Sequence, residues 1–374
     1  MRLVFLTWRD STHPDGGGSE VFVEEIARDL ARRGHDVTIR CARHPGSTAA
    51  DDVAGVRIVR RGGRLTVYPR ALAWLAAYGR RYDVVVDVIN GLPFGSPLAR
   101  RHGVVALVHH THDRQWEIIY PGVRGRIGWA IEHRLTPRLY RRVPHLTVSE
   151  ASREDLVRIG VPAERITIVR NGVDGAPSGV PRSTAPRIVV LGRLVPHKQV
   201  EDAFEVVERL AGEIPDLHLD VIGDGWWRDR LEEDLQERRV ADRVTMHGHV
   251  SADVRDRLLA GAWLMLLPSV KEGWGLAVME AAVQGTPTIA YTSAGGVRES
   301  VVDGQTGVLV ADREQMVEAA RALVADGERR ERLGEAARRR SAEFTWPHAA
   351  DVVEDVLEKS RRALPRRSWI SRRR

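Results

Sequence analysis

Cysteine is nearly absent: Cys41 is the single one in 374 residues. No intrachain disulfide framework and no thiolate zinc cluster can form, and a reducing cytosol is the expected setting. Lysine is almost as scarce, with only Lys198, Lys271 and Lys359. The other cations are arginines, and the net charge is +6. Where a compact ammonium persists in a chain that otherwise uses arginine, its chemistry is a reason to look closer. No apolar run approaches the ~20 residues of a membrane span. Residues 1–8 carry strand residues without a secretory pattern. No G-x-G-x-x-G follows the first strand, so the dinucleotide fingerprint is missing.

What is present is a long alternation of strand and helix patterns. The chain is too long for one ordinary core and suits two domains. Strand patterns fall at 3–8, 36–41, 56–59, 83–88, 104–108, 146–148 and 166–169, with helical patterns at 70–80, 126–142 and 150–159 between them. Ser19 is placed to cap a first helix whose apolar face is Val23, Ile26, Ala27 and Leu30, ended by Gly34. Residues 175–186 have linker composition. The alternation then restarts, with strands at 188–191, 217–222, 244–246, 263–267, 286–290 and 307–310. The expectation is an α/β chain of two Rossmann-like, doubly wound domains, 1–175 and 187–345, each with a parallel sheet covered on both faces. A helix over about 346–363 is expected to pack back on the first domain, ahead of a basic tail, 364–374. Ligands of such sheets sit at the carboxyl ends of strands, here in a cleft between the domains.

Chemistry concentrates in residues 268–280. The pattern is a strand, a glycine-containing turn at Gly273 and Gly275, and a helix start. That geometry aims free N–H groups and the positive end of a helix dipole at one point, which suits a phosphate. Glu272 and Glu280 bracket it. Arg193 and Lys198 follow the strand 188–191 and together can clamp a pyrophosphate; spacing alone allows two surface charges equally well. Gly16-Gly17-Gly18 marks either a flexible turn or a loop that lets a ligand approach the backbone. His109, His110 and His112 stand near Asp113, but no second ligand cluster accompanies them, so no metal site is expected.

In order along the chain stand Gly17-Gly18-Ser19-Glu20, a histidine after a central strand, and Val148-Ser149-Glu150. They are followed by Asn171-Gly172-Val173-Asp174, Gly192-Arg193 with Lys198, and Glu272 with Glu280 in Pro-Ser-x-x-Glu-Gly-Trp-Gly. Taken together they resemble the retaining glycosyltransferases of the GT-B fold, family 4, over almost the whole chain. The resemblance implies that Glu280 binds the ribose of a nucleotide-sugar donor and that Glu272 sits beside the donor sugar. It implies that the amides of Gly275, Leu276 and Ala277 take the pyrophosphate with Arg193 and Lys198, and that the backbone of Gly273 and Trp274 faces sugar hydroxyls. Val250 and Ser269 would lie near the base. Gly17 and Gly18 would close on the donor from the opposite domain. His109 would contact the donor sugar, and His112 the acceptor. The resemblance further implies retention of anomeric configuration, no cofactor and no metal; the Asp-x-Asp motif of the other main glycosyltransferase fold is missing. Gln199 departs from the family, which has glycine after the lysine.

The expected reaction moves a hexose-type sugar from a UDP- or GDP-linked donor to a glycolipid, polysaccharide precursor or small metabolite. An epimerase or phosphorylase of the same fold, or a non-catalytic sugar-binding homologue, stays open. Residues 123–142 and 361–374 mix apolar residues with arginines, which suits an anionic membrane surface. For the helix, packing on the core is the stronger expectation. No nucleic-acid motif accompanies the charge. The expected location is cytoplasmic, with peripheral contact at the inner membrane face as an addition.

Overall fold

The computed structural model describes residues 1–112, 115–175 and 179–363. Two sheets form its frame. The first holds β1 (Arg2–Leu6), β2 (Asp36–Cys41), β3 (Ala50–Val53), β4 (Val56–Arg60), β5 (Val84–Val88), β6 (Val104–Leu107), β7 (His145–Thr147) and β8 (Ile166–Ile168), in the order β3-β4-β2-β1-β5-β6-β7-β8. The second holds β9 (Arg187–Leu191), β10 (His218–Ile222), β11 (Val244–Gly248), β12 (Leu264–Leu267), β13 (Thr288–Tyr291) and β14 (Gly307–Val310), in the order β11-β10-β9-β12-β13-β14. These named strands pair in parallel except β3 with β4. Strands such as Val84–Val88 and Leu264–Leu267 are buried throughout, because helices cover both faces. Strand order reverses between β1 and β5, and again between β9 and β12. Loops leaving adjacent strands there diverge and open a crevice.

Three local expectations are corrected. The edge strand β3 went unread; it returns to β4 through Ala54 and Gly55, both at positive φ, as in a two-residue hairpin turn. The first helix, Gly18–Arg32, is capped by Gly17 and not by Ser19, whose hydroxyl donates to Glu20 Oε1 at 2.8 Å. Glu20 reaches back to the Gly17 amide at 2.8 Å, so the glutamate secures the glycine loop. The helix expected over 126–142 is a continuous helical stretch, 123–139, broken by a π-helical turn at Ile131–Leu135. Pro137 has no N–H for an intrahelical bond, and the Thr136 hydroxyl donates to Ile131 O at 3.0 Å instead. The turn points Glu132 inward, where it accepts from His112 N at 3.1 Å and Trp116 Nε1 at 2.6 Å.

The helix Trp346–Arg362 lies on the N-terminal unit. Trp346, Ala350, Val353 and Leu357 join the core around Phe22, Val23 and Ile26. At its rim Arg33 meets Asp351 at 2.6 Å and Glu354 at 2.8 Å, and His35 meets Glu354 at 2.6 Å. The expected basic tail, 364–374, lies outside the described residues.

Candidate active site

A cleft of about 870 Å³ separates the two sheets. Its floor follows from the two switch points. After β1 comes the loop that ends at Gly16-Gly17-Gly18; after β9 comes Gly192-Arg193; after β12 comes the turn that ends at Gly275. Gly275 takes φ +88°, which favours glycine, and there the helix Leu276–Val283 begins. Leu276 and Ala277 of its first turn line the cleft, while Val278 N donates to Gly275 O at 2.9 Å.

The walls touch where glycine permits it. A Cβ on Gly17 would sit 2.9 Å from Arg193 Nε, and one on Gly273 would sit 2.7 Å from the His109 carbonyl. Arg193 also donates to Asp15 O at 3.4 Å, so this cation of the second domain rests against the glycine loop of the first. Glu20 is buried beneath it and pairs with Arg9 at 3.1 Å. Burial pushes the Glu20 carboxyl up, but Arg9 and Arg193 outweigh that and hold it below the usual carboxylate range.

Lys198 and Glu272 form an ion pair within the cleft. Glu280 lies one helix turn further and meets Arg255 at 2.6 Å. Burial pushes the Glu280 carboxyl up against the pull of Arg255. Lys271, next to Glu272, crosses to the N-terminal unit and pairs with Asp155, while also donating to Thr111 Oγ1 at 3.3 Å. Gln199 has φ +45° and ψ +47°, a left-handed conformation that costs a non-glycine residue about 1–2 kcal/mol. That is the physical content of the departure from the family's glycine.

The cleft thus gathers Gly17, Gly18, His109, Arg193, Lys198, Val250, Glu272, Gly273, Trp274, Gly275, Leu276, Ala277 and Glu280. Two expected residues do not line it. Ser269 is fully buried behind it, and its hydroxyl lacks a partner among the described residues. His112 stands aside, bound to Glu132 at 3.0 Å. The Trp274 indole is buried against Phe344, so the cleft meets that residue through its backbone. Sequence reasoning assigned nothing to Arg9, Arg255 or Asp155, whose partners lie far away in the chain; for Lys271, scarcity was the one signal. Among the described residues no group of three or more His, Cys, Asp or Glu could hold a metal ion.

Four histidines here and behind the sheet stay uncharged. Burial pushes His109 and His145 down to about 4, and burial with Lys198 and Arg193 pushes His197 down to about 3. Burial also holds His110 well below 6.5. The unfolded chain binds these protons near 6.5 and the folded chain refuses them, so stability falls as pH drops from about 6.5 toward 4. The raised carboxyls of Glu280 and Asp87 act in the opposite sense but are fewer. Tm is expected to be several degrees lower at pH 5 than at pH 7; an equal or higher Tm at pH 5 contradicts this.

Two doubly wound sheets that face one cleft make the GT-B architecture. Residues 16–176 match the model described as Glycosyltransferase Family 4, and residues 177–340 match Glycosyl transferases group 1. The glycogen synthase of Mycobacterium tuberculosis is 28% identical over 97% of this chain and 95% of its own. The D-inositol 3-phosphate glycosyltransferase of Xylanimonas cellulosilytica is 30% identical over 94% of each. Among solved structures, the sucrose-phosphate synthase of Thermosynechococcus elongatus has a TM-score of 0.80 at 20% identity, covering 96% of this chain and 98% of that one. The chain belongs to glycosyltransferase family 4.

Proposed function

We propose that the enzyme transfers a hexose-type sugar from a UDP- or GDP-linked donor with retention and without a metal cofactor. The observation that carries this is the convergence on one cleft of Arg193, Lys198 and the start of the helix Leu276–Val283, opposite Gly17 and Gly18. A diphosphate placed there meets two cations and a helix dipole, the charge stabilisation a leaving nucleoside diphosphate needs. Glu280 would take the ribose diol, and Val250 would meet the base; both line the cleft. Lys198 and Glu272 form an ion pair, and a diphosphate in the cleft would compete with Glu272 for the ammonium. In front-face attack the acceptor oxygen bonds to the anomeric carbon on the side the phosphate leaves, and the departing phosphate oxygen takes the acceptor proton. The cofactor set is then empty, and the nucleotide-sugar is a substrate.

A thermal-shift panel of UDP- and GDP-sugars tests the reading. The matching donor at about 100-fold its Kd should stabilise the fold by about 2.7 kcal/mol. A panel without a shift, or turnover that disappears with EDTA, refutes the corresponding part.

The stretch 123–139 packs one face, Gly125, Gly128, Glu132 and Thr136, on the protein, and its other face suits an anionic membrane. Val123 is 68% exposed, Ile127 55% and Leu135 55%, and they lie among the exposed Arg124, Arg126, Arg134 and Arg138. The packed face runs from Gly125 and Gly128, which lie against Trp116, to Tyr140. A membrane at this surface would favour a lipid-linked acceptor. Co-sedimentation with phosphatidylglycerol vesicles at low salt, reduced at high salt and in Ile127→Glu/Leu135→Glu, is expected. No binding at low salt removes the membrane reading. No helix among the described residues is long and apolar enough to cross a membrane.

A further inference from the structure

Side chains alternate across the N-terminal sheet. Val37, Ile39 and Cys41 of β2, with Val56 and Ile58 of β4, enter the core beneath the helix Gly18–Arg32. The opposite face therefore presents Arg40 and Arg57. With Arg81, and with Trp74, Tyr78 and Tyr82, they line a cavity of about 270 Å³. It shares no lining residue with the interdomain cleft.

Three arginines line it, the half-buried Arg40 and the exposed Arg57 and Arg81, and none has a carboxylate partner within 4.0 Å among the described residues. Asp52 stands opposite Arg57 in the strand register, yet forms no ion pair with it. This is unlike much of the surface, where Arg28 meets Glu24 at 3.0 Å, Arg187 meets Asp220 at 2.8 Å and Arg238 meets Asp234 at 2.8 Å. The neighbour on β4, Arg60, is buried on the other face with both Asp10 and Asp51 as partners. In the cavity the compensation is aromatic: Arg40 lies 3.9 Å from the centre of the Trp74 ring, and Arg81 lies 5.1 Å from that of Tyr78. A ring face returns about 0.5–2 kcal/mol to a cation. Removing a charge from water without a counter-ion costs more than that. Burial, with Arg61 adding repulsion, holds the Arg40 guanidinium below its ordinary range despite the pull of Tyr82. An anion of small size would complete the arrangement. The volume is below the common range for drug-sized ligands, about 300–1,000 Å³, and suits one phosphorylated sugar better than a nucleotide.

We propose that this cavity is a phosphate-monoester site distinct from the catalytic cleft, in which Arg40, Arg57 and Arg81 hold the phosphoryl group and Tyr78 and Tyr82 flank a body the size of one sugar. The phosphate can come from a free sugar phosphate or from the headgroup of an anionic lipid. Three cations in one cavity match the charge of a dianion, and a guanidinium can contact a phosphoryl group through two N–H groups.

Calorimetry on the full chain separates the sources. It is done in a Lys198→Ala background, which weakens phosphate binding in the cleft, where Arg193 remains. The probes are inorganic phosphate, mannose 6-phosphate and phosphatidylglycerol vesicles. Arg57→Ala/Arg81→Ala removes the two exposed cations and leaves the half-buried Arg40 in place. A free sugar phosphate as ligand predicts saturable binding of mannose 6-phosphate, tighter than inorganic phosphate and weakened at least 10-fold by the double substitution. A headgroup as ligand predicts the same loss for vesicles and no binding of mannose 6-phosphate. Affinities unchanged by the double substitution, or no binding of any probe before it, overturn the proposal. Circular dichroism and Tm of the double variant check that it is folded.

Discussion

Lys198→Ala should lower transfer by about 10²–10³-fold while leaving the fold intact. The side chain belongs to a short turn, Pro196–Lys198, that begins just beyond β9, and its ammonium is held in the cleft by Glu272. No backbone of the sheet depends on it. What it offers is charge at the point where a departing diphosphate gains charge. Donor affinity should weaken as well, but by less than kcat, because the interaction strengthens as the bond to the phosphate breaks. Lys198→Arg should recover part of the loss, since it keeps the charge but not the compact ammonium. The measurement is kcat and KM with the donor found by thermal shift, alongside circular dichroism. Turnover like that of the unaltered enzyme removes Lys198 from the reaction and, with it, the reading of the cleft as a transferase site.

The second large effect concerns Lys271. It reaches over the cleft to Asp155, which is 7% exposed and lies in the helix Glu150–Arg158 of the other unit. Glu272 follows directly, and its amide donates to Ala294 O at 2.8 Å. The tie therefore fixes the height of the Glu272 loop against the N-terminal sheet. Breaking a largely buried pair from one side costs about 3–5 kcal/mol where the remaining charge is stranded. Here Arg158 still meets Asp155 at 2.8 Å, so a smaller loss is expected. Lys271→Ala should lower kcat/KM about 10–100-fold with little change in Tm of the separate units. The sharper test is the cycle with Asp155→Asn: the double variant should be scarcely worse than either single one. Small-angle scattering should show a more open molecule in both. Single effects that simply add show that the two residues do not act together.

The two sheets were legible because buried parallel strands read as short apolar runs and helices as wider periods. The edge strand β3 was not, because its residues, Ala50-Asp51-Asp52-Val53, have no apolar face to bury and its turn is Ala54-Gly55 in place of an asparagine-glycine pair. The cap of the first helix was misplaced because Ser19 carries a capping side chain, whereas Gly17 is held at that position by Glu20 and by the closeness of Arg193. The cleft was legible where a motif lies within one loop, as in residues 268–280. Its cross-ties were not: Lys271 with Asp155 and Glu280 with Arg255 are set by how three helices and a loop pack, and no local pattern encodes that. Gln199 shows the converse. A residue that breaks a pattern marked a real backbone constraint, the left-handed turn after Lys198.

The helix Trp346–Arg362 changes what the C-terminal unit is in terms of chain topology. The chain leaves the N-terminal sheet after β8, builds the second sheet, and returns to finish the first core with Trp346, Val353 and Leu357. The C-terminal unit is therefore an insert, held by two crossings of the backbone. Two crossings confine its motion to opening and closing about the line between them, where a single linker would allow it to swivel. It can also be exchanged as a cassette. A chimera that replaces 187–345 and keeps the final helix retains a complete first core, whereas a chimera cut once at the linker removes that helix from the core it completes.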